Sequence, residues 1–258
     1  MNATDFLERS FLNAVRGESL AAPANVYLGL FLTSPNEEGR GTEVAYSGYS
    51  RQKIQFSEPA SAKNSIEIQS TEQMTFPKAV TAGGTAQHVG IFDSLTGGNC
   101  LAYGALTESI TIGIGESPVV LAGDIKLSIS GQLSTEYKKK LLNIFRGMTI
   151  SGIQAHMALW NENPESGGAE FSGGEYARVA VNFSPPEPSD SGQMIMEAAA
   201  GVTFPRPTAE WGQWKYTTLQ DASSGGQPIY ISQEAAPTII KKGYRPTFDA
   251  SDIRVAIN

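Results

Sequence analysis

Near the start of the chain, apolar residues recur as Leu7, Phe11 and Val15, at i, i+4 and i+8. Thr4 or Asp5 stands ahead of them as a cap, and Gly17 sits where a C′ glycine belongs, so the pattern predicts a short helix. It returns with Ser134 or Thr135, then Tyr137, Leu141, Phe145 and Gly147. A stripe that narrow does not hold an isolated helix of about 12 residues, so each helix must dock on something. Between and after the helices the period shortens. Residues 26–32 form an apolar run that reads as a doubly buried strand, matched by residues 153–160. Ile54 and Phe56 alternate with Lys53 and Gln55, as Val179, Val181 and Phe183 alternate with Arg178, Ala180 and Asn182. Further strands fit residues 89–92, 100–103 and 125–129, with Gly97-Gly98 as a hairpin-turn signal. About six strands and one helix in each half predict a mainly β protein. It would comprise two tandem, similar antiparallel β-sandwich or barrel-like domains, each opened by a short N-terminal helix.

The halves are copies of one unit. Leu12-Asn13-x-x-Arg16-Gly17 recurs as Leu142-Asn143-x-x-Arg146-Gly147, and Tyr49-x-Arg51 with Phe56 recurs as Tyr176-x-Arg178 with Phe183. Thr75-Phe76-Pro77 recurs as Thr203-Phe204-Pro205, and Asp93 with Gly97-Gly98 as Asp221 with Gly225-Gly226. Asp124-Ile125 with Ile129 recurs as Asp252-Ile253 with Ile257. Offsets of 127 to 130 residues, in unbroken order, mark a tandem duplication. The domains expected are 1–130 and a diverged second copy, 134–258.

Charge narrows the partners. The chain has 19 Lys+Arg against 26 Asp+Glu, a net charge of −7, which argues against a nucleic-acid-binding face. Cys100 is the only cysteine, so no intramolecular disulfide forms and a cysteine-based metal site is excluded. The first 20 residues lack a basic segment followed by an apolar run, so no signal peptide is expected, and no stretch is long enough to insert in a membrane.

The chain carries few residues arranged for catalysis. His88 and His156 fall at different positions of the repeat, with His156 aligned to Tyr27, and neither has companions at triad or zinc spacing. Residues 112–116 lack the lysine and the strand-to-helix setting of a phosphate loop. The acidic loops at residues 36–38 and 161–165 lack calcium-loop spacing. Lys138-Lys139-Lys140 reads as a solvated helix face. The expectation is no enzyme, no catalytic residue, no metal and no cofactor.

Several strings carry a family resemblance. They are Val26-Tyr27-Leu28-Gly29-Leu30-Phe31 with Thr33-x-Pro35, Gly41-Thr42-Glu43-Val44, and Ser47-Gly48-Tyr49-Ser50-Arg51-Gln52. Thr75-Phe76-Pro77-Lys78-Ala79, His88-Val89-Gly90-Ile91-Phe92-Asp93, Gly97-Gly98-Asn99-x-Leu101-x-Tyr103-Gly104-Ala105-Leu106 and Ala122-Gly123-Asp124 continue the series. Together they resemble small phage virion proteins usually labelled tail fibre proteins. The first copy carries the resemblance along most of its length. The second departs from it, with Ala155-His156-Met157-Ala158-Leu159-Trp160 in place of the first strand and residues 214–219 in place of the His-Val-Gly-Ile-Phe stretch.

The resemblance implies a phage virion structural protein, tail-fibre or tail-associated, that assembles in multiple copies with other virion proteins in a symmetric array. Alternatives are a head decoration, neck or collar protein, and a carbohydrate-binding module for a host surface glycan. Two sets of residues are candidates for contact. Trp211, Trp214 and Tyr216 cluster as aromatics that stack on sugars or anchor a protein partner, although a β core also wants them. Tyr49, Arg51, Tyr176 and Arg178 persist in both copies, either as an internal contact, with arginine on tyrosine or on Glu43 and its counterpart Glu170, or as a repeated interface. Asp124 and Asp252 read as turn-forming side chains.

Overall fold

The structure is a computed structural model and describes residues 1–257. Contacts divide the chain into two compact units. The first contains Met1–Ser10, Ala21–Ile129 and Lys139–Ile150; the second contains Phe11–Leu20, Ser130–Lys138 and residues 151–257.

The first unit holds β1 (Asn2–Ala3), the opening turns of helix α1 (Asp5–Val15), β2 (Val26–Phe31), β3 (Gln52–Ile54), β4 (Ala60–Ala62) and β5 (Ser65–Gln69). After these come β6 (Met74–Thr75), β7 (Gly84–Phe92), β8 (Cys100–Ile112), β9 (Val119–Val120) and β10 (Lys126–Ile129). Its principal sheet has the order β1-β8-β7-β2-β3, with β10-β5-β4 as a second sheet and β6-β9 as a two-stranded ribbon. Every pairing is antiparallel. Leu28, Leu30, Ile68, Phe76 and Ile91 are fully buried in its core.

The second unit holds the end of α1 and the first turns of helix α2 (Thr135–Asn143). Its strands are β11 (His156–Trp160), β12 (Val179–Ala180), β13 (Glu187–Pro188), β14 (Met194–Glu197) and β15 (Val202–Thr203), then β16 (Gly212–Gln220), β17 (Pro228–Ile240), β18 (Thr247–Phe248) and β19 (Arg254–Ala256). The orders β12-β11-β16-β17, β13-β14-β19 and β15-β18 repeat those of the first unit. The register repeats too. Gly84 pairs with Ile112 and Gly212 with Ile240, Val89 with Gly104 and Thr217 with Ser232, an offset of 128 throughout. Even the irregularities coincide, between Ala86 and His88 in one copy and between Trp214 and Tyr216 in the other. A single Leu133–Tyr230 bridge stands where β1 pairs Ala3 with Ala102.

The motif Leu-Asn-x-x-Arg-Gly ends each helix, and its parts have assigned tasks. Asn13 Oδ1 accepts from Arg16 Nη1 at 2.8 Å, and Asn143 Oδ1 from Arg146 Nη1 at 2.6 Å. Gly17 and Gly147 take left-handed backbone, φ +105° and +85°, which closes the last turn with no Cβ penalty. The arginines then reach segments that link strands of their compact units. In the first unit Arg146 pairs with Glu58, and Phe145 packs edge-on against Phe56 at 5.9 Å. In the second, Arg16 Nε donates to the Phe183 carbonyl at 3.1 Å. Each compact unit therefore takes its helix C-terminal segment from the other sequence repeat.

Several local expectations are corrected. Strands β7 and β8 run to 9 and 13 residues, well beyond the short segments that periodicity marks. Residues 105–111 are mostly exposed, and the register shift after Ala86 breaks the alternation, so no hydrophobic period announces the extension. His88 lies within β7, not before it. The β4–β5 hairpin is not among the expected elements, although Ile66 and Ile68 alternate with Ser65, Glu67 and Gln69 and both are buried. The Thr4 hydroxyl, offered as a cap for α1, donates to the Cys100 carbonyl at 2.6 Å. Ser134 does cap α2, accepting from Tyr137 N at 3.2 Å.

Candidate functional site

Tyr49 and Arg51 precede β3 rather than lying within it, and they converge on one carboxylate. Tyr49 Oη accepts from Leu30 N at 2.9 Å and donates to Glu43 Oε1 at 3.0 Å. Arg51 takes both oxygens of Glu43, Nε to Oε1 at 2.9 Å and Nη2 to Oε2 at 2.8 Å. Its Nη1 donates to the carbonyls of Ser94 and Gly97 at 3.1 and 2.7 Å, and the guanidinium lies 3.4 Å from the Phe92 ring centroid. One arginine thus ties the Gly97-Gly98 turn to the carboxylate beside β2. A planar fork with several donors suits this task, and lysine would not replace it.

The second copy builds the same clamp. Tyr176 Oη accepts from Leu159 N and donates to Glu170 Oε1, each at 3.0 Å. Arg178 Nε and Nη2 reach Glu170 at 2.8 and 2.6 Å, while Nη1 reaches the carbonyls of Ala222 and Gly225 at 2.8 and 2.6 Å. Beneath each turn an aspartate accepts from the residue just ahead of the next strand, Asp93 Oδ1 from Asn99 N at 2.7 Å and Asp221 Oδ1 from Gln227 N at 2.6 Å. Burial, reinforced by the neighbouring carboxylate, drives the Tyr49 and Tyr176 hydroxyls far above their usual pKa, so both remain donors. Hydrogen bonding to Glu170 raises Arg178 as well. Arg51 and Arg178 side chains are only 9% and 7% exposed, so these groups stiffen the fold and offer little surface.

The three clustered aromatics separate. Trp211 is 8% exposed, stands edge-on to Tyr176 at 5.0 Å, and donates Nε1 to the Gly174 carbonyl at 3.1 Å. It therefore braces the clamp tyrosine from the core. Trp214 and Tyr216 are half-buried on β16, on either side of the register shift. Trp214 stands edge-on to Phe248 at 5.2 Å, and its Nε1 donates to Thr217 Oγ1 at 3.1 Å. Thr217 passes a hydrogen bond on to Glu234 Oε1 at 2.7 Å, and burial holds the Glu234 carboxyl above its ordinary pKa. Tyr230, Phe248 and Glu234 join Trp214 in lining one cleft, while Trp211 and Tyr216 do not line it. Sequence reasoning missed Glu234, Tyr230 and Phe248. Comparing the two copies position by position was the signal that could have found them.

Other candidate chemistry stays dispersed. Cys100 is buried, and its thiol is pushed up to about 12 by desolvation. The loop residue Asn36 accepts from Glu38 N and Arg40 N, and Glu37 accepts from the Tyr103 hydroxyl at 2.6 Å. Among the described residues no His, Cys, Asp and Glu side chains cluster as metal ligands, and no helix is long and apolar enough to cross a membrane.

The repeated unit has a counterpart among known families. The family described as podophage GP4 fiber I protein gp80 matches residues 2–128 and, a second time, residues 132–256. The chain belongs to this family. It is a phage fibre protein in which the unit occurs twice in tandem, and both clamps fall inside the matched segments. No curated protein matches the chain. Both matched segments are mainly antiparallel β, and each keeps the same sheet order and the same arginine-held turn.

Proposed function

We propose that this fibre protein is a tail-associated structural component of the virion and that it assembles by contacts with other virion proteins, in several copies on a symmetric array. The observation that carries this reading is the double match to a podophage fibre family across nearly the whole chain. Two clamped β units fit a load-bearing part, since turns held by buried ion pairs are poor hinges. The repeats, residues 1–130 and 134–258, act here as successive structural modules, and the chain performs no catalysis. Mass spectrometry of purified particles tests the proposal. The chain should be present at a fixed copy number per particle and survive washing in high salt. Its absence from purified particles would overturn the proposal, as would turnover of bacterial polysaccharide by the purified chain for the non-catalytic part.

A further inference from the structure

The two copies share a register, so corresponding positions can be compared directly. Along the β7–β8 hairpin the first copy places Ala86, Val89, Ala102 and Leu106; along β16–β17 the second places Trp214, Thr217, Tyr230 and Glu234 at the same offset of 128. On the ribbon, Val120 of β9 becomes Phe248 of β18. Small or aliphatic residues have been replaced on both walls at once, by rings and hydrogen-bonding groups. Three of the replacements form one relay, Trp214 to Thr217 to Glu234. Independent drift would not be expected to build a connected chain of donors and acceptors.

These side chains line an open cleft of about 500 Å³ within the second unit. Its chemistry is mixed. Trp214, Tyr230 and Phe248 supply aromatic surface, all three half-buried, so part of each remains accessible. Glu234 accepts a hydrogen bond from Thr217, and a carboxylate has room for several more donors. Ser232 and Gln233 add a hydroxyl and an amide to the lining. Arg254, the one basic residue there, is paired with Glu197 at 3.1 Å, so the cleft is not prepared for phosphate. It is too polar and open for a lipid tail. Rings beside a carboxylate, hydroxyls and an amide suit a ligand with one apolar C–H face and a rim of hydroxyls.

We propose that the cleft between the β16–β17 hairpin and β18 binds a neutral pyranose ring of a saccharide, with Trp214 and Tyr230 packing on its C–H surface and Glu234 accepting from its hydroxyls. The site belongs to the second copy alone, because the first copy lacks the rings and the carboxylate at these positions. The proposal is separate from the structural role, and a virion component of either kind could carry it.

The test uses the purified full chain with glucose, galactose, rhamnose and N-acetylglucosamine as probes, followed by ligand-observed NMR and tryptophan fluorescence. Saturable binding of at least one sugar is expected. Trp214→Ala and Glu234→Gln should each weaken it about tenfold or more. Tyr244→Ala, at an exposed residue outside the cleft, should leave it unchanged. Thermal melts confirm folding, and Glu234→Gln decides the matter if Trp214→Ala fails to fold. No saturable binding by the folded chain would overturn the proposal, as would binding that both cleft variants retain in full. Neither result would bear on whether the chain is present in the particle.

Discussion

Arg51 holds both carboxylate oxygens of Glu43, at 2.9 and 2.8 Å, and Arg178 holds both of Glu170, at 2.8 and 2.6 Å. In each copy the same guanidinium also takes two turn carbonyls. Around this unit of structure the flanking sequence is free to change. Phe92 lies under Arg51, whereas Gln220 occupies the corresponding position in the second copy.

Removing either arginine leaves a carboxylate unpaired in a largely enclosed place. Arg51→Ala or Arg178→Ala should cost about 2–4 kcal/mol, below the full penalty for a deeply buried pair because Glu43 and Glu170 keep some solvent contact. Each unit carries its own reporter. All three tryptophans, Trp160, Trp211 and Trp214, belong to the second unit, and the only cysteine belongs to the first. Both variants should lower the urea midpoint, Arg178→Ala as read by tryptophan fluorescence and Arg51→Ala as read by Cys100 labelling. Arg51→Lys should recover little, since an ammonium cannot span both oxygens and the turn.

Glycine is required at one place in each turn. Gly98 and Gly226 have φ of +71° and +68°, and a Cβ on either would overlap the aspartate that braces the turn, Asp93 or Asp221. Gly98→Ala and Gly226→Ala should each destabilise by about 1–3 kcal/mol or more. Gly97→Ala meets open space and should cost less than Gly98→Ala, although its φ of +61° is also left-handed. Paired urea melts of these variants check the order.

Burial of Cys100 predicts silence towards thiol reagents in the native protein. Its thiol is pushed up to about 12, so at pH 8 almost none is thiolate. Ellman's reagent should react only after denaturant is added. Rapid reaction in buffer would contradict the packing of β8.

Alkaline pH should loosen the fold. Desolvation, with Glu37 adding to it, pushes Tyr103 up to about 12 from an ordinary 10.0, and Tyr49, Tyr137 and Tyr176 shift in the same direction. The native state holds these protons longer than the unfolded chain. Their contribution is therefore complete below pH 10 and is lost as pH rises towards 12. Urea midpoints should be level from neutrality to about pH 9 and then fall. A midpoint that rose with pH there would reverse the expected sign.

The sequence made the duplication, the β class and the helix ends legible because each leaves a repeated mark: a motif, a period or a glycine. Glu43 was also nameable as a partner of Arg51, since two copies retained both. The length of the β7–β8 and β16–β17 hairpins was not, because their outer halves are solvated and bulged, and burial no longer sets a period. Trp211, Trp214 and Tyr216 looked alike by spacing, yet one is core, one lines a cleft and one does neither. The register shift between Trp214 and Tyr216 separates what a regular strand would have aligned. Nor could a linear pattern show that Phe145 packs on Phe56 while Arg16 reaches Phe183.

That helix arrangement bears on any attempt to study one copy alone. A chain ending at residue 133 loses Lys139–Ile150 from the first unit, and with it Phe145. Phe145→Ala in the full chain should cost about 3–5 kcal/mol, and the truncated chain should be less stable still. Circular dichroism melts of both test this. A truncated monomer as stable as the intact chain would show that the helix segment adds little.

We propose that this duplicated β chain, a member of a phage fibre family, sits on the phage tail. Gold-labelled antibody against it, applied to intact particles and viewed by negative-stain microscopy, tests that most directly. Label clustered at the tail end, in symmetric multiples, is the expected result. Label confined to the head or neck would contradict the tail assignment and make this a decoration or collar protein, and no label on intact or gently opened particles would contradict the virion role itself.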